Sequence, residues 1–401
     1  MHRRRFLQVV GSLGVSLRYA SAFAAERRRI AVVGAGIVGA SVAYQLARRG
    51  AEVTLVEKVR PGAGTTGRSF GWINAHFSKK PRPYHLLSQL GLGAYGRLEQ
   101  ELGEPRLLQW GGAVEWYTDD KNATMLRAEV RAMQEWGDAI RLIDAAELAT
   151  LEPHVRPGAL TAAAFAEHES GVDPVGVAEA MIRKARSFGL QVIYPAEVTG
   201  MVFRNRRLRA LETTGGEILA DCVVVACGID TPRVAGFAGL TVPLRDAPGI
   251  LAWTTPQPRL VNRIVVAPGV HFRQFPDGRI LVGEDDGPPA GPTHAHLASG
   301  PQDFPADDFR ALHGAQLLRM GSKYLPALAD AEVHETTLGW RPMPKDGWPI
   351  VGFAESNRDV YVAVTHSGIT FGPLLGQLIA TEILDGVAVE LLSPYRLGRF
   401  A

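Results

Sequence analysis

One stretch constrains the fold of this chain more than any other: RIAVVGAGIVGASVAYQLARRGAEVTLVE, residues 29–57. An apolar run, Ile30 to Val33, reads as a buried strand. Gly34, Gly36 and Gly39 follow at once, in the spacing G-x-G-x-x-G, and a helical pattern runs from Ile37 to a stop at Gly50. A second apolar run, Val53 to Val56, ends in Glu57. The first glycine permits a tight turn, the second lets backbone approach a pyrophosphate, and the third lets helix and strand pack closely. The helix N-terminus, at Ile37 and Val38, then faces the negative charge. A carboxylate at Glu57 suits a ribose hydroxyl and repels a 2′-phosphate. The unit therefore predicts an α/β chain that holds a dinucleotide other than NADP, with NAD and FAD both open.

The other segments read as alternating strands and helices with no internal repeat. Residues 107–170 read as short strands and turns, and Asp173-Pro174 as an N-cap and first helical residue of a helix running to about Phe188. Strands follow through CVVVACG and GVHFRQF, then a helix over about 307–324, and finally the strand VYVAVTH, a glycine turn and the helix GPLLGQLIATEIL. No run of eighteen apolar residues occurs, so no membrane-crossing helix is predicted. The formal charge is only +2, and Arg3, Arg4, Arg5 and Arg18 exceed it by themselves. Nucleic acid is excluded as an expected partner. Cys222 and Cys227 lie along one apolar run at a separation of roughly 16 Å, too far for a disulfide.

The N-terminus carries an address. Arg3, Arg4, Arg5, Phe6 and Leu7 fit the order of a twin-arginine export signal, followed by a weakly apolar stretch and the small-residue site Ala22-Phe23-Ala24. Residues 1–25 are therefore expected to direct export to the periplasm. That route carries folded proteins, so a cofactor can be loaded before export. A retained signal would keep the protein in peripheral contact with the membrane.

From Arg28 onward the chain resembles the D-amino-acid oxidase superfamily of flavin-dependent oxidoreductases, which includes glycine oxidase, sarcosine oxidase and D-amino-acid dehydrogenase. The resemblance rests on GAGIVGAS with Glu57, on GAGTTGRSFGWINA, on VVVACG, and on GWRPMPKDGWPIVG followed by VTHSGITFGPLLG. It implies FAD as cofactor and an α/β fold in which a Rossmann-like FAD-binding domain (28–104, 173–239 and 335–401) is interleaved with an antiparallel-sheet substrate domain (105–172 and 240–334). It also implies that Thr65, Thr66, Arg68 and Ser69 run beside the pyrophosphate and flavin, that Val198 touches adenine through its backbone, and that Gly228 borders the cofactor. His366, Gly368, Ile369 and Thr370 would lie against the isoalloxazine. Cys227 stands where Thr is more usual. Arg68 replaces the histidine that some relatives use for covalent attachment, and no cysteine follows Cys227, so the FAD is expected to be non-covalent.

The expected reaction is oxidation of the C–N bond of an amino acid, a D-amino acid or one like glycine, by hydride transfer to flavin N5. A secondary-amine oxidase of the sarcosine type, and an exported flavin-binding protein without turnover, are the alternatives. Oxygen and a quinone are both open as electron acceptor. Arg341 matches the carboxylate-binding arginine of glycine oxidase, and a planar fork suits a carboxylate. With His366 it makes up the expected catalytic pair. His271 and Arg273 share a strand face, which reads as one lining the cavity, and Arg273 is the reserve carboxylate partner. His294 and His296 lack the partners of a zinc site, so no metal is expected.

Overall fold

The structure, a computed structural model, describes residues 28–284, 297, 303–304 and 306–400. The export signal, His294 and His296 lie outside these residues.

Two sheets dominate. The first has six strands in the spatial order Ile350–Ala354, Asn357–Val364, Cys222–Val225, Arg29–Val33, Glu52–Val56 and Gln191–Ile193. All neighbours are parallel except the first pair. Its central strands are apolar almost throughout because both faces are covered. Ile30, Val32, Val53, Leu55, Cys222 and Val224 pack toward the helices Ile37–Arg48, Pro174–Arg186 and Gly368–Asp385. Ala31, Val33, Val56, Val223 and Val225 pack on the other side, against the three-stranded meander of residues 198–219 and the helix Thr231–Gly236.

Helices Ile37–Arg48 and Gly368–Asp385 approach closely through glycine. A Cβ on Gly376 would stand 2.2 Å from Ser41 Oγ and 2.7 Å from its backbone, and one on Gly372 would stand 3.0 Å from Ile37 Cγ1. A Cβ on Gly368 would lie within 3.4 Å of Val38. The two helices thus begin side by side.

The second sheet has eight strands in the order Val333–Trp340, Pro248–Thr254, Ile280–Glu284, Val270–Gln274, Ile264–Ala267, Ala113–Tyr117, Ala162–Ala166 and Ile140–Ile143. It is antiparallel except where Ile264–Ala267 meets Ala113–Tyr117. Helix Asp307–Ser322 covers one face through Leu317 and Leu318. On the other face the register places Leu251, Gly283, His271, Val266 and Glu115 in one row across the strands. The segment border read at 335 falls inside the strand Val333–Trp340, which pairs with Pro248–Thr254 along the second sheet.

Two long helices, and the short Ala145–Leu151 and Thr231–Gly236, stand where the sequence pattern gave none. Arg82–Leu102 contains Gly91, Gly93 and Gly96, which lower its helical signal. Gly91 is there for space, since a Cβ would come 2.5 Å from Thr370 O. Asp120–Glu135 interrupts the region read as strands and turns, with Asp119 accepting from Asn122 N–H at 2.9 Å as its N-cap. Asp173 caps Pro174–Arg186 as expected, accepting from Gly176 N–H at 3.0 Å. That helix ends at Arg186, two residues before Phe188.

Candidate active site

A continuous cleft of about 1100 Å³ runs between the sheets. One end is bordered by Glu57, Lys58, Glu197, Val198 and Arg233, the other by His366, Arg341 and the exposed face of the second sheet. A cleft of this volume, lined from both sheets, can take a dinucleotide together with a small substrate.

The glycines give the tight turn and the close helix–strand packing that their spacing implies. Gly34 has φ +98°, and a Cβ there would meet Ala226 O at 2.5 Å. On Gly39 a Cβ would lie 1.9 Å from Gly34 O, so only glycine lets the helix sit this close to the strand. Thr66 Oγ1 accepts from Ile37 N–H at 3.0 Å, which ties the 65–68 turn to the helix N-terminus. Thr65 donates to Trp340 O at 2.8 Å, Ser69 to Thr66 O at 2.9 Å, and Arg68 Nη1 to Ala63 O at 3.1 Å. This loop therefore joins the first sheet's edge to the end of a second-sheet strand.

Glu57 is held by two backbone donors, Ala35 N–H to Oε2 and Val59 N–H to Oε1, each at 2.9 Å. A carboxylate offers about four acceptor sites, so the expected ribose contact is compatible with both bonds. Val198 is buried and borders the cleft, with its carbonyl accepting from Arg233 Nη1 at 3.2 Å. Arg233 also pairs with Glu197 at 2.8 Å, and Lys58 with Asp230. Gly228, at φ +57°, lines the same end. Cys227 donates to Val33 O at 3.3 Å, and burial, then the nearby Asp230 and Glu57, push its thiol above the ordinary range. Cys222 and Cys227 are both free.

At the other end, Gly368, Ile369 and Thr370 open their helix on the cleft wall. Tyr84 OH and Ser367 Oγ share a hydrogen bond of 2.7 Å, and Tyr95 OH donates to Ile369 O at 2.6 Å. Two helix N-termini, at Ile37 and Gly368, thus face one cleft, and both favour negative charge there. His366 borders the cleft and is partly buried in that wall. Burial first, then the charges of Lys79, Arg341 and Arg245, hold its imidazole down at about 3. It is neutral at ordinary pH.

Arg341 also lines the cleft. Its Nε donates to Ala247 O at 3.2 Å and its Nη2 to Pro248 O at 3.0 Å, which fixes the plane of the fork. Around it the second sheet offers Leu251, Val266, His271 and Glu115. Glu115 Oε1 accepts from Tyr117 OH at 2.7 Å, and burial pushes the Glu284 carboxyl at the cleft edge up to about 7.

One expectation fails. His271 faces the cleft, with Phe70 edge-on at 4.3 Å, but Arg273 does not. Its side chain is 2% exposed and donates to Gly71 O, to Val172 O at 3.0 Å and to Gln109 Oε1 at 2.7 Å, over the Phe275 ring. Burial pushes its guanidinium down to about 9, against Asp173. Arg273 is a structural staple among strand ends and is withdrawn as a reserve carboxylate partner. Lys79, Tyr84, Glu115 and Tyr117 were not foreseen. Tyr84 lies in, and Lys79 just before, a helix that glycines concealed, whereas the alternation of Glu115 and Tyr117 in AVEWY was a signal for one strand face. Among the described residues no cluster of His, Cys, Asp or Glu could hold a metal.

The fold and cleft define a dinucleotide-dependent oxidoreductase scaffold, and the comparisons agree. Residues 29–382 match the model of the FAD dependent oxidoreductase family DAO, and the chain belongs to that family. Its cofactor is accordingly FAD. The chain is 26% identical to glycine oxidase of Geobacillus kaustophilus over 385 residues, covering 93% of this chain and 97% of that one. It is 28% identical to the uncharacterized oxidoreductase YurR of Bacillus subtilis, over 91% of this chain and 97% of that one. The crystal structure of L-proline dehydrogenase from P. horikoshii superposes with a TM-score of 0.82 at 24% identity, over 94% of this chain and 98% of that one, which shows the shared fold.

Proposed function

We propose that the protein oxidises the C–N bond of an amino acid, a D-amino acid or one like glycine. The observation that carries this reading is the placement of Arg341 on the same cleft as the two helix N-termini. FAD, when bound, supplies a hydride acceptor at its N5 atom. The likeness to a glycine oxidase supports the substrate class.

The chain's own residues divide the work. The Ile37 helix N-terminus and Thr66 hold the pyrophosphate, and Glu57 takes ribose hydroxyls. The N–H groups at Gly368, Ile369 and Thr370 stabilise negative charge that develops beside them. His366, being neutral, contributes a hydrogen bond without adding charge. Arg341 grips the substrate carboxylate and sets the orientation of the bond to be broken. Leu251 and Val266 give the cavity an apolar floor that keeps water from the reacting carbon. The amine binds unprotonated, so no side-chain base is required. Export through the twin-arginine route, with FAD already inside, is part of this reading, and oxygen or a quinone takes the electrons.

The test compares Arg341→Ala with the parent in anaerobic flavin reduction, using an amino acid and its decarboxylated amine. Removing one partner of a buried charge pair costs about 2–5 kcal/mol, a loss of about 30- to 4,000-fold. The acid should weaken by that factor and the amine little, with FAD retained. Arg341→Lys should restore only part, since it keeps charge without the fork. Equal losses on both substrates would make Arg341 structural.

A further inference from the structure

Lys79 is 8% exposed, and that remainder opens on the cleft. Its backbone is held firmly. Ser78 N–H donates to Glu129 at 2.8 Å, Ala75 and His76 N–H donate to Glu169 at 2.8 and 2.9 Å, and Asn74 exchanges hydrogen bonds of 3.2 Å with Thr370. The ammonium lies 5.6 Å from the centre of the Tyr84 ring and makes no hydrogen bond or ion pair among the described residues. Its neighbour Lys80 is different: it is exposed and reaches Glu129 at 3.9 Å.

A buried charge without a counter-charge is costly, and an aromatic face offsets only part of that. A cation kept in such a place is completed by an anion from outside. The proposed function assigns the pyrophosphate elsewhere, to the N-terminus of helix Ile37–Arg48 and the 65–68 turn that Thr66 Oγ1 ties to it by accepting from Ile37 N–H. Lys79 sits at the other end, and the chain of contacts Lys79–Tyr84–Ser367 links it to the start of the second helix. Its charge also reaches His366.

Resting on the function proposed above, we propose that Lys79 is a second anchor for the substrate carboxylate, reaching it from the 74–80 loop while Arg341 reaches it from the second sheet. Two cations on separate elements would select substrates with a carboxylate next to the oxidised bond over plain amines. The carboxylate would also draw the 74–80 loop and the sheet together.

The test uses the FAD-loaded enzyme and two inert carboxylates, acetate and benzoate, with benzamide as the neutral control. Binding is read from the change in flavin absorbance and, independently, by calorimetry. Lys79→Met should bind the carboxylates about 30-fold or more weakly and leave benzamide unchanged, and Lys79→Arg should recover part of the loss. Unchanged carboxylate affinity in Lys79→Met, or no carboxylate binding by the parent, overturns the proposal. So does loss of FAD from both Lys79→Met and Lys79→Gln, which would assign the residue to the cofactor or the fold. A lowered flavin potential in ligand-free Lys79→Met, with carboxylate affinity intact, would assign it to the reduced flavin and likewise overturn it. Because the probes are not oxidised, the result is independent of turnover. Failure of every amine to reduce the flavin would instead retire the function proposed above.

Discussion

Replacing Gly39 by alanine is the sharpest structural perturbation of the cofactor site. The new Cβ would lie 1.9 Å from Gly34 O, where ordinary contact begins at 3.4 Å. The clash is with backbone, so no side chain can turn aside. The helix must retreat from the strand by about 1.5 Å. Overpacking of this kind costs about 1–3 kcal/mol, and in a chain of this length each kcal/mol lowers Tm by about 2 °C. The retreat would also carry the N-terminus of helix Ile37–Arg48 away from the pyrophosphate that the proposed function assigns to it. Loss of one charge-assisted hydrogen bond costs about 1.5–3 kcal/mol, which is a 10- to 150-fold loss of FAD affinity. Titration of FAD into stripped protein and thermal melts of the FAD-free form measure the two effects separately. Gly93→Ala is the control, since Gly93 lies in helix Arg82–Leu102 outside the cleft lining and a Cβ there meets nothing within 4 Å. Parent-like FAD affinity in Gly39→Ala would refute the assignment of this turn to the pyrophosphate.

Two further outcomes follow from particular residues. His366 is held at about 3 by burial and neighbouring cations, against an ordinary 6.5, so between those values the unfolded chain binds a proton that the folded one does not. Stability should fall as pH drops through that window, and denaturation of FAD-free protein at pH 7 and pH 5 should show a smaller loss in His366→Gln than in the parent. Replacing Arg3 and Arg4 by lysine should leave the protein, FAD included, in the cytoplasm, as fractionation would show; unchanged export would remove the twin-arginine reading.

The cofactor half was legible because its chemistry is local in sequence. A strand, three glycines and a carboxylate fall within thirty residues, and the structure places Gly34, Gly36, Gly39 and Glu57 around one turn. The opposite wall of the cleft is assembled from distant strands. Glu115, Val266, His271 and Leu251 share a row only through the register of the second sheet, which no periodicity reveals. Arg273 misled because alternation fixes a face but not how far along it the cavity extends. His271 reaches the cavity, whereas two residues on the arginine is sealed by Gly71, Gln109 and Val172. The helix carrying Tyr84 was hidden by Gly91, whose missing side chain lets it touch Thr370. In that case a packing need erased the local helical signal.

The close packing at Gly372 and Gly376 also carries a functional consequence. It brings a second helix N-terminus beside the first, so that one cleft receives two positive dipole ends. The proposed function assigns one to the phosphates and the other to the charge that develops on reduction. Their spacing is set by glycine contacts rather than by loops, which keeps it rigid.

Anaerobic addition of glycine, sarcosine, and D- and L-amino acids to the FAD-loaded protein, each followed by flavin absorbance, tests the central claim most directly. The account predicts that at least one carboxylated amine bleaches the flavin, with one imine-derived carbonyl product released for each flavin reduced. A flavin that stays oxidised across the whole panel, in protein that still binds FAD tightly, would contradict it.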